Sequence, residues 1–324
     1  MQQGIYVVAN NNVYDQLVAL LNSIEANYSQ DIPVCVIPYN NDIDLIENEI
    51  SQRKNVSLFK DQKTIAKWER FVTRDQALYY DYPYESGNKK KKAQKVQHSR
   101  KYCAFDGEFD TFIFIDCDTL VFRPLDYIFQ KLDDYDFVVH DFQRKTFDRK
   151  RIVDDFAEVF QKFYPSRDAL VRQFHCSGFW GAKREAIAEP DLEVFLQDLA
   201  SGEIRIFRDG LSEQCLLNYM TLKKSFKLYN PTLEANSEYC TGVCVTSRHF
   251  EEKQHILYDR GKRLTYLHYM GVSNQLFSQL CEWQKSRLPF KNALLPIADK
   301  LLKRQLGSIP YRDVFTHYRF LREA

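Results

Sequence analysis

Two aspartates separated by one cysteine, Asp116 and Asp118 around Cys117, follow directly on the unbroken apolar run of residues 111–115. Such a run reads as a buried strand, so both carboxylates leave it together in a tight connection. Holding two neighbouring carboxylates out of water is unfavourable unless a cation or several donors compensate. Oxygen ligands of this kind suit Mg²⁺ or Mn²⁺, and an ion bridging them to a diphosphate supplies the compensation. Two loop acids capping turns are the alternative reading of the pair.

Placing such a pair requires a strand-based scaffold, and the chain has the pattern of one. Residues 5–9 are apolar and β-branched and end in Asn10-Asn11-Asn12; Leu17, Leu20, Leu21 and Ile24 then recur at helical spacing, and residues 33–38 read as a second strand. Strand, helix and strand in that order imply a parallel, right-handed crossover. The alternation continues through residues 43–50, 56–59, 111–115, a helical stretch after Arg123-Pro124, and 137–140, which predicts an α/β sandwich. Ligands of such sheets sit beyond the carboxyl ends of the strands, so residues 10–14 and 116–118 should face one crevice.

Other segments are less regular. Tyr79, Tyr80, Tyr82, Tyr84 and Gly87 precede four successive lysines at 89–92, the pattern of an exposed loop, either simply solvated or ordering over an anionic donor or acceptor. A polar insertion runs to about residue 172. From Phe277 onward Trp283, Leu288, Phe290, Leu294, Leu295, Leu301 and Leu302 alternate with Lys285, Arg287, Lys291, Lys300, Lys303 and Arg304. Helices packing back on the main domain explain that pattern, and a peripheral membrane or partner surface is the sharper alternative. The expected division is a main domain over 1–275 and a basic amphipathic extension over 276–324.

The whole chain bounds the partners. With 45 Lys and Arg against 44 Asp and Glu among 324 residues, nothing calls for nucleic acid. The amino terminus lacks a basic, cleavable leader and no uncharged run approaches about 18 residues, so a cytoplasmic protein, at most peripheral to a membrane, is expected. Eight scattered cysteines form neither a disulfide framework nor a paired zinc motif and read as reduced thiols.

A strand followed by Asp116-Cys117-Asp118 and Thr119-Leu120-Val121 resembles the metal-binding motif of glycosyltransferases of the GT-A fold, and the order of further motifs is similar to the glycogenin-like group, glycosyltransferase family 8. Residues 9–14, with Ala9, Asn10, Asn11 and Tyr14, stand where that family contacts uridine, and Tyr14 resembles the residue that stacks on the base. Arg100 occupies the offset of a basic donor contact. His175-Cys176-Ser177-Gly178 is similar to an Asn-Ser-Gly segment near the transferred sugar, with Cys176 at the Asn place. Glu213-Gln214-Cys215-Leu216-Leu217-Asn218 resembles an Asp-Gln-x-x-Leu-Asn element with Glu for Asp, Asp209 being the substitute acid. His268, before Gly271, takes the place of the third metal ligand. The lysine that follows that glycine in the family is replaced by Val272, so a diphosphate contact is sought at Arg248, Lys262, Arg263 or the lysine run.

The resemblance runs from about residue 4 to residue 271 and implies a Rossmann-like nucleotide-sugar-binding sandwich with a mixed central sheet, to which the amphipathic pattern from Phe277 onward adds a helical C-terminal extension. It implies a retaining transfer of a hexose from a UDP-sugar to a glycan, lipid or protein acceptor. Mn²⁺ (or Mg²⁺) would be held by Asp116, Asp118 and His268, the donor by Cys117, Ser177, Gly178 and Gly271 besides, and Glu213 and Gln214 would stand beside the sugar. Two other functions compete. A sugar-phosphate nucleotidyltransferase needs an early glycine-rich loop, and Gly4 is the only glycine before Gly87. A non-catalytic sugar-nucleotide or glycan-binding protein is compatible with Glu213 and the absent lysine.

Overall fold

The computed structural model describes residues 2–83, 95–140, 158–161, 163–164, 166–207, 211–234, 237–243, 247–286, 291–301 and 305–323. The lysine run 89–92, the insertion at 141–157, Asp209, Cys244, Arg287, Leu288, Phe290, Leu302, Lys303 and Arg304 lie outside the described residues.

The first half winds as its pattern predicts. Strands β1 (Gln3–Ala9), β2 (Val34–Pro38) and β3 (Val56–Leu58) alternate with helices α1 (Tyr14–Asn27), α2 (Asp44–Ser51) and α3 (Gln62–Asp81). A 3-10 helix, Val96–Asp106, then leads into β4 (Thr111–Ile115) and β5 (Thr119–Val121). Helix α4 (Asp126–Lys131), β6 (Phe137–Val139), α5 (Arg167–Gln173), β7 (Phe179–Lys183), α6 (Glu189–Ala200), α7 (Glu213–Lys223) and β8 (Leu228–Tyr229) follow.

Seven of these strands form one mixed sheet in the order β3-β2-β1-β4-β7-β6-β8. β3, β2, β1 and β4 run parallel, β7 is antiparallel to both its neighbours, and β8 is parallel to β6. β4 is buried along its whole length because both faces of the sheet are covered, as its unbroken apolar sequence requires. Alternate residues serve opposite layers: Phe112 and Phe114 meet Trp68, Phe105 and Trp180, while Ile113 and Ile115 meet Leu17, Leu20, Leu21 and Ile24 of α1. Each such side chain contributes about 1.5–3 kcal/mol of burial. The Trp180 ring stacks on Phe114 at 5.4 Å and on Phe105 at 5.1 Å, fixing the 3-10 helix over the end of β4.

A second sheet orders β10 (Glu251–Lys253), β11 (Ile256–Asp259), β12 (Lys262–His268) and β5, with β9 (Cys240–Val243) parallel to β12. Arg260 and Gly261, both at positive φ (51° and 79°), make the two-residue turn between β11 and β12. β12 pairs antiparallel with β5, which sets His268 opposite Thr119.

Helices α8 (Asn274–Lys285), α9 (Lys291–Leu301) and α10 (Arg312–Phe320) close the chain, and Phe277, Leu280, Trp283, Leu295, Val314, Phe315 and Tyr318 pack into a third core. α10 lies along α1: Asn22 Nδ2 donates to the Tyr318 carbonyl at 2.7 Å, and Arg319 Nε donates to Asp15 Oδ1 at 2.6 Å. Leu294, Ile297 and Leu301 of α9 stay exposed at 41%, 58% and 76%. No helix among the described residues is long and apolar enough to cross a membrane. Among the described cysteines Cys35, Cys103, Cys117, Cys240 and Cys281 are buried thiols, and Cys176 and Cys215 are partly exposed thiols.

Candidate active site

β4 stops at Ile115, and three elements close on the Asp116-Cys117-Asp118 turn. The Asp116 N–H donates to the Gly178 carbonyl at 2.7 Å, joining it to the approach to β7. The Tyr269 N–H donates to the Asp118 carbonyl at 2.8 Å, joining it to the end of β12. The Cys117 thiol reaches the Val13 carbonyl at 3.6 Å, bringing in the segment after β1. Residues 10–14 and 116–118 therefore share one crevice at the carboxyl ends of the parallel strands.

Ligand atoms of Asp116, Asp118 and His268 lie within 4.8 Å of one another, the one such group of three among the described residues. His268 Nε2 is 3.0 Å from Asp118 Oδ1 and 4.0 Å from Asp116 Oδ2. Gly178 closes the back of this cluster: a Cβ there would lie 2.7 Å from His268 Cε1 and 2.8 Å from Asp116 Oδ2, closer than a methyl group can approach. Two carboxylate oxygens and an imidazole nitrogen are a donor set that fits Mn²⁺ and also admits Mg²⁺.

Burial pulls the His268 imidazole down, but Asp118 and then Asp116 outweigh it and raise its pKa to about 9. Burial also raises Asp116, against Lys101 and His268, whereas His268 overcomes burial at Asp118 and holds it below the ordinary carboxylate range.

Lys101 is the cation of this site. Its Nζ lies 3.2 Å from Asp116 Oδ1, 3.8 Å from Glu213 Oε1 and 3.2 Å from the Ser177 carbonyl. Burial opposes the ammonium, yet Asp116 and Glu213 raise its pKa on balance, so it stays charged. Glu213 is the first residue of α7, where the helix dipole favours an anion. Ser177 Oγ donates to Glu213 Oε1 at 3.2 Å, and Ser212 caps the helix by accepting from the Cys215 N–H.

The other residues singled out from sequence are spread over several elements. Ala9, Asn10 and Asn11 border the crevice: the Ala9 carbonyl accepts from Tyr39 N at 2.8 Å, Asn10 donates to Asn40, and Asn11 bridges Asp42 and the Leu45 N–H. Tyr14 donates to Glu49 Oε2 at 3.0 Å, with the Arg319 guanidinium 5.3 Å from its ring centre. Gln214 follows Glu213 in the first turn of α7, and Gly271 sits at φ +87° in the turn after β12.

Arg100 lies outside the carboxylate cluster, at the carboxyl end of β2 beside Ala9. It donates to the Pro38 carbonyl at 2.7 Å and pairs with Glu69 at 2.8 Å, while its neighbour Lys101 meets Asp116. The segment is a 3-10 helix, in which one residue turns the side chain by about a third of a circle. Lys262 and Arg263 stand at the far end of β12 from His268, about 20 Å away at strand spacing, and bond to Ser237 and Asn27. They do not belong to the site.

Asp75, also missed from sequence, lies on α3 in a cavity that Glu213 shares. Its signal was its place in the apolar stripe Ile65, Trp68, Val72, Tyr79.

No family model matches the chain, and no curated protein sequence matches it. Among solved structures, mouse xyloside xylosyltransferase 1 in its apo form superposes with a TM-score of 0.53 at 10% identity, over 84% of this chain and 99% of the other. The WbbM bifunctional glycosyltransferase has a TM-score of 0.48 at 13% identity, over 94% and 51% of the two chains. The galactosyltransferase LgtC, in complex with donor and acceptor sugar analogs, has 0.47 at 13%, over 89% and 98%. The mixed seven-stranded sheet, together with the first of these likenesses, makes this a GT-A glycosyltransferase fold.

Proposed function

We propose that this chain is a metal-dependent glycosyltransferase, moving a hexose from a UDP-sugar to a glycan, lipid or protein acceptor with retention of configuration. One observation carries the reading: in a GT-A fold, Asp116, Asp118 and His268 converge within 4.8 Å beside the ammonium of Lys101, at the carboxyl ends of the parallel strands. When bound, Mn²⁺ would offset the charge that develops on the leaving diphosphate. Lys101 supplies a second positive charge next to the same carboxylates, and because Asp116 and Glu213 hold it protonated it needs no proton transfer to act. In this reading Lys101, rather than Arg248, Lys262, Arg263 or the lysine run, takes the part of the lysine missing after Gly271. Ser177 orients the Glu213 carboxylate, which with Gln214 stands beside the sugar in this reading. Uracil selection rests on the resemblance of residues 9–14.

A donor screen tests the proposal. Mn²⁺ with UDP, UDP-glucose, UDP-galactose or UDP-xylose should raise the melting temperature and release UDP slowly, and excess chelator should stop the release. Failure of every nucleotide to bind in the presence of Mn²⁺ would refute it, and equal affinity for UDP and GDP would refute the uracil assignment. The exposed Leu294, Ile297 and Leu301 stripe supports the accompanying reading of a peripheral membrane contact; the cytoplasmic location in this reading rests on the sequence alone. Co-sedimentation with anionic vesicles, abolished by Ile297→Glu with Leu301→Glu, is the expected outcome.

A further inference from the structure

A cavity between α3, the 3-10 helix and the start of α7 is lined by Asp75, Lys95, His98, Ser99, Tyr102 and Glu213. Glu213 joins it to the Lys101 and metal-ligand cluster, for its Oε1 is held by Ser177 and Lys101 while its buried Oε2 has no partner among the described residues. Asp75 is fully buried, and neither carboxyl oxygen has a hydrogen-bond partner among the described residues. A carboxyl kept for the fold caps a helix or pairs with a cation, and this one does neither. An unpaired buried carboxyl destabilises a protein, so its presence beside a small cavity of about 20 Å³, which Val72, Leu211 and Leu216 also line and which has room for one hydroxyl group, points to a ligand that completes it.

We propose that this cavity is a hydroxyl subsite of the sugar site, in which Asp75 exchanges hydrogen bonds with a hydroxyl group of a bound sugar. The inference rests on the glycosyltransferase reading above. Burial alone pushes the Asp75 carboxyl up to about 8, so near neutral pH it is largely the protonated acid, with one O–H to donate and oxygens to accept. That combination matches a hydroxyl, which also does both.

The test uses full-length Asp75→Leu and Asp75→Ser with Mn²⁺ and three probes: UDP, UDP-glucose and its deoxy analogues, and free glucose or xylose as acceptor. UDP should bind both variants as it binds the wild type. If the hydroxyl belongs to the donor, UDP-glucose binds the variants about tenfold more weakly. One deoxy analogue should then bind the wild type equally weakly, with no further loss in the variants. If it belongs to the acceptor, donor affinity is kept and the acceptor KM rises about tenfold. Asp75→Leu should also melt a few degrees higher without ligand, because an unpaired buried polar group has been removed. Unchanged sugar affinity and acceptor KM in folded variants would overturn the subsite alone. Loss of folding in both variants would make Asp75 a structural group and overturn it as well. A wild type that binds neither UDP nor UDP-sugar would instead bring down the glycosyltransferase reading with it.

Discussion

Asp116, Asp118 and Lys101 answer one another in charge, and the consequences of breaking the set follow from that. Asp118→Asn keeps the shape and removes one anionic ligand, so a steady-state assay with Mn²⁺ should show turnover lowered about 100-fold or more in a normally folded protein. Lys101→Gln leaves Asp116 and Glu213 repelling each other around a buried amide. The loss of a buried partner amounts to about 3–5 kcal/mol, at the lower end here because Asp116 keeps 29% of its side chain exposed. Added Mn²⁺ should restore more of the melting temperature in that variant than it adds to the wild type, since it replaces the missing positive charge.

Asp75 makes a pH prediction. Its folded pKa is about 8, above the unfolded carboxylate value, so the folded state holds a proton that the unfolded chain has already released. The unfolded state binds fewer protons between about pH 4 and pH 8, and stability attributable to this group therefore falls as pH rises through that window. Urea unfolding across the window should show a shallower fall for Asp75→Asn than for wild type, and parallel curves would contradict the assignment.

At the scale of elements, the site depends on how the approach to β7 abuts the turn after β4. Only the missing Cβ of Gly178 lets the His268 ring and the Asp116 carboxylate meet behind the cluster. Gly178→Ala leaves the β4–β7 ladder, which spans Thr111 to Ile115, in place. The added methyl group must push His268 or Asp116 aside, and a displaced ligand should weaken Mn²⁺ binding by about 10–100-fold by titration calorimetry, with the circular dichroism unchanged. Affinity within twofold of wild type would show that the three side chains do not act together on a metal.

Across the whole molecule, α10 ties the last residues to the first helix. Arg319 is buried, donates to Asp15 and Glu323, and lies over the ring of Tyr14. Arg319→Ala leaves Asp15 without its cation, and a loss of about 3 kcal/mol in urea unfolding is expected, discounted because Glu323 is half exposed. We propose further that residues 1–275 do not fold as an independent unit. Removing 276–324 would uncover Ala19, Leu120 and Leu267, which pack with Phe277, Leu280 and Phe315, and would strip Asn22 of its bond to the Tyr318 carbonyl. A soluble, cooperatively melting 1–275 fragment would refute this.

Sequence alone determined the strands whose two faces are both buried, because that environment demands unbroken apolar runs: residues 111–115 are β4 from end to end. It also determined that residues 10–14 and 116–118 share a crevice, since parallel crossovers leave their carboxyl ends on one edge, and it singled out His268 through the order of its motifs. Tertiary structure decided which of two neighbouring cations meets Asp116. Arg100 and Lys101 differ by one position, and only the tight turn of the 3-10 helix directs Lys101 inward and Arg100 to Pro38 and Glu69. It excluded Lys262 and Arg263, because a strand sets neighbours in sequence steadily farther apart in space. It also decided the setting of Asp75: an acid in an apolar helical stripe is legible as an anomaly, but whether it finds a partner depends on what three separate segments bring around it.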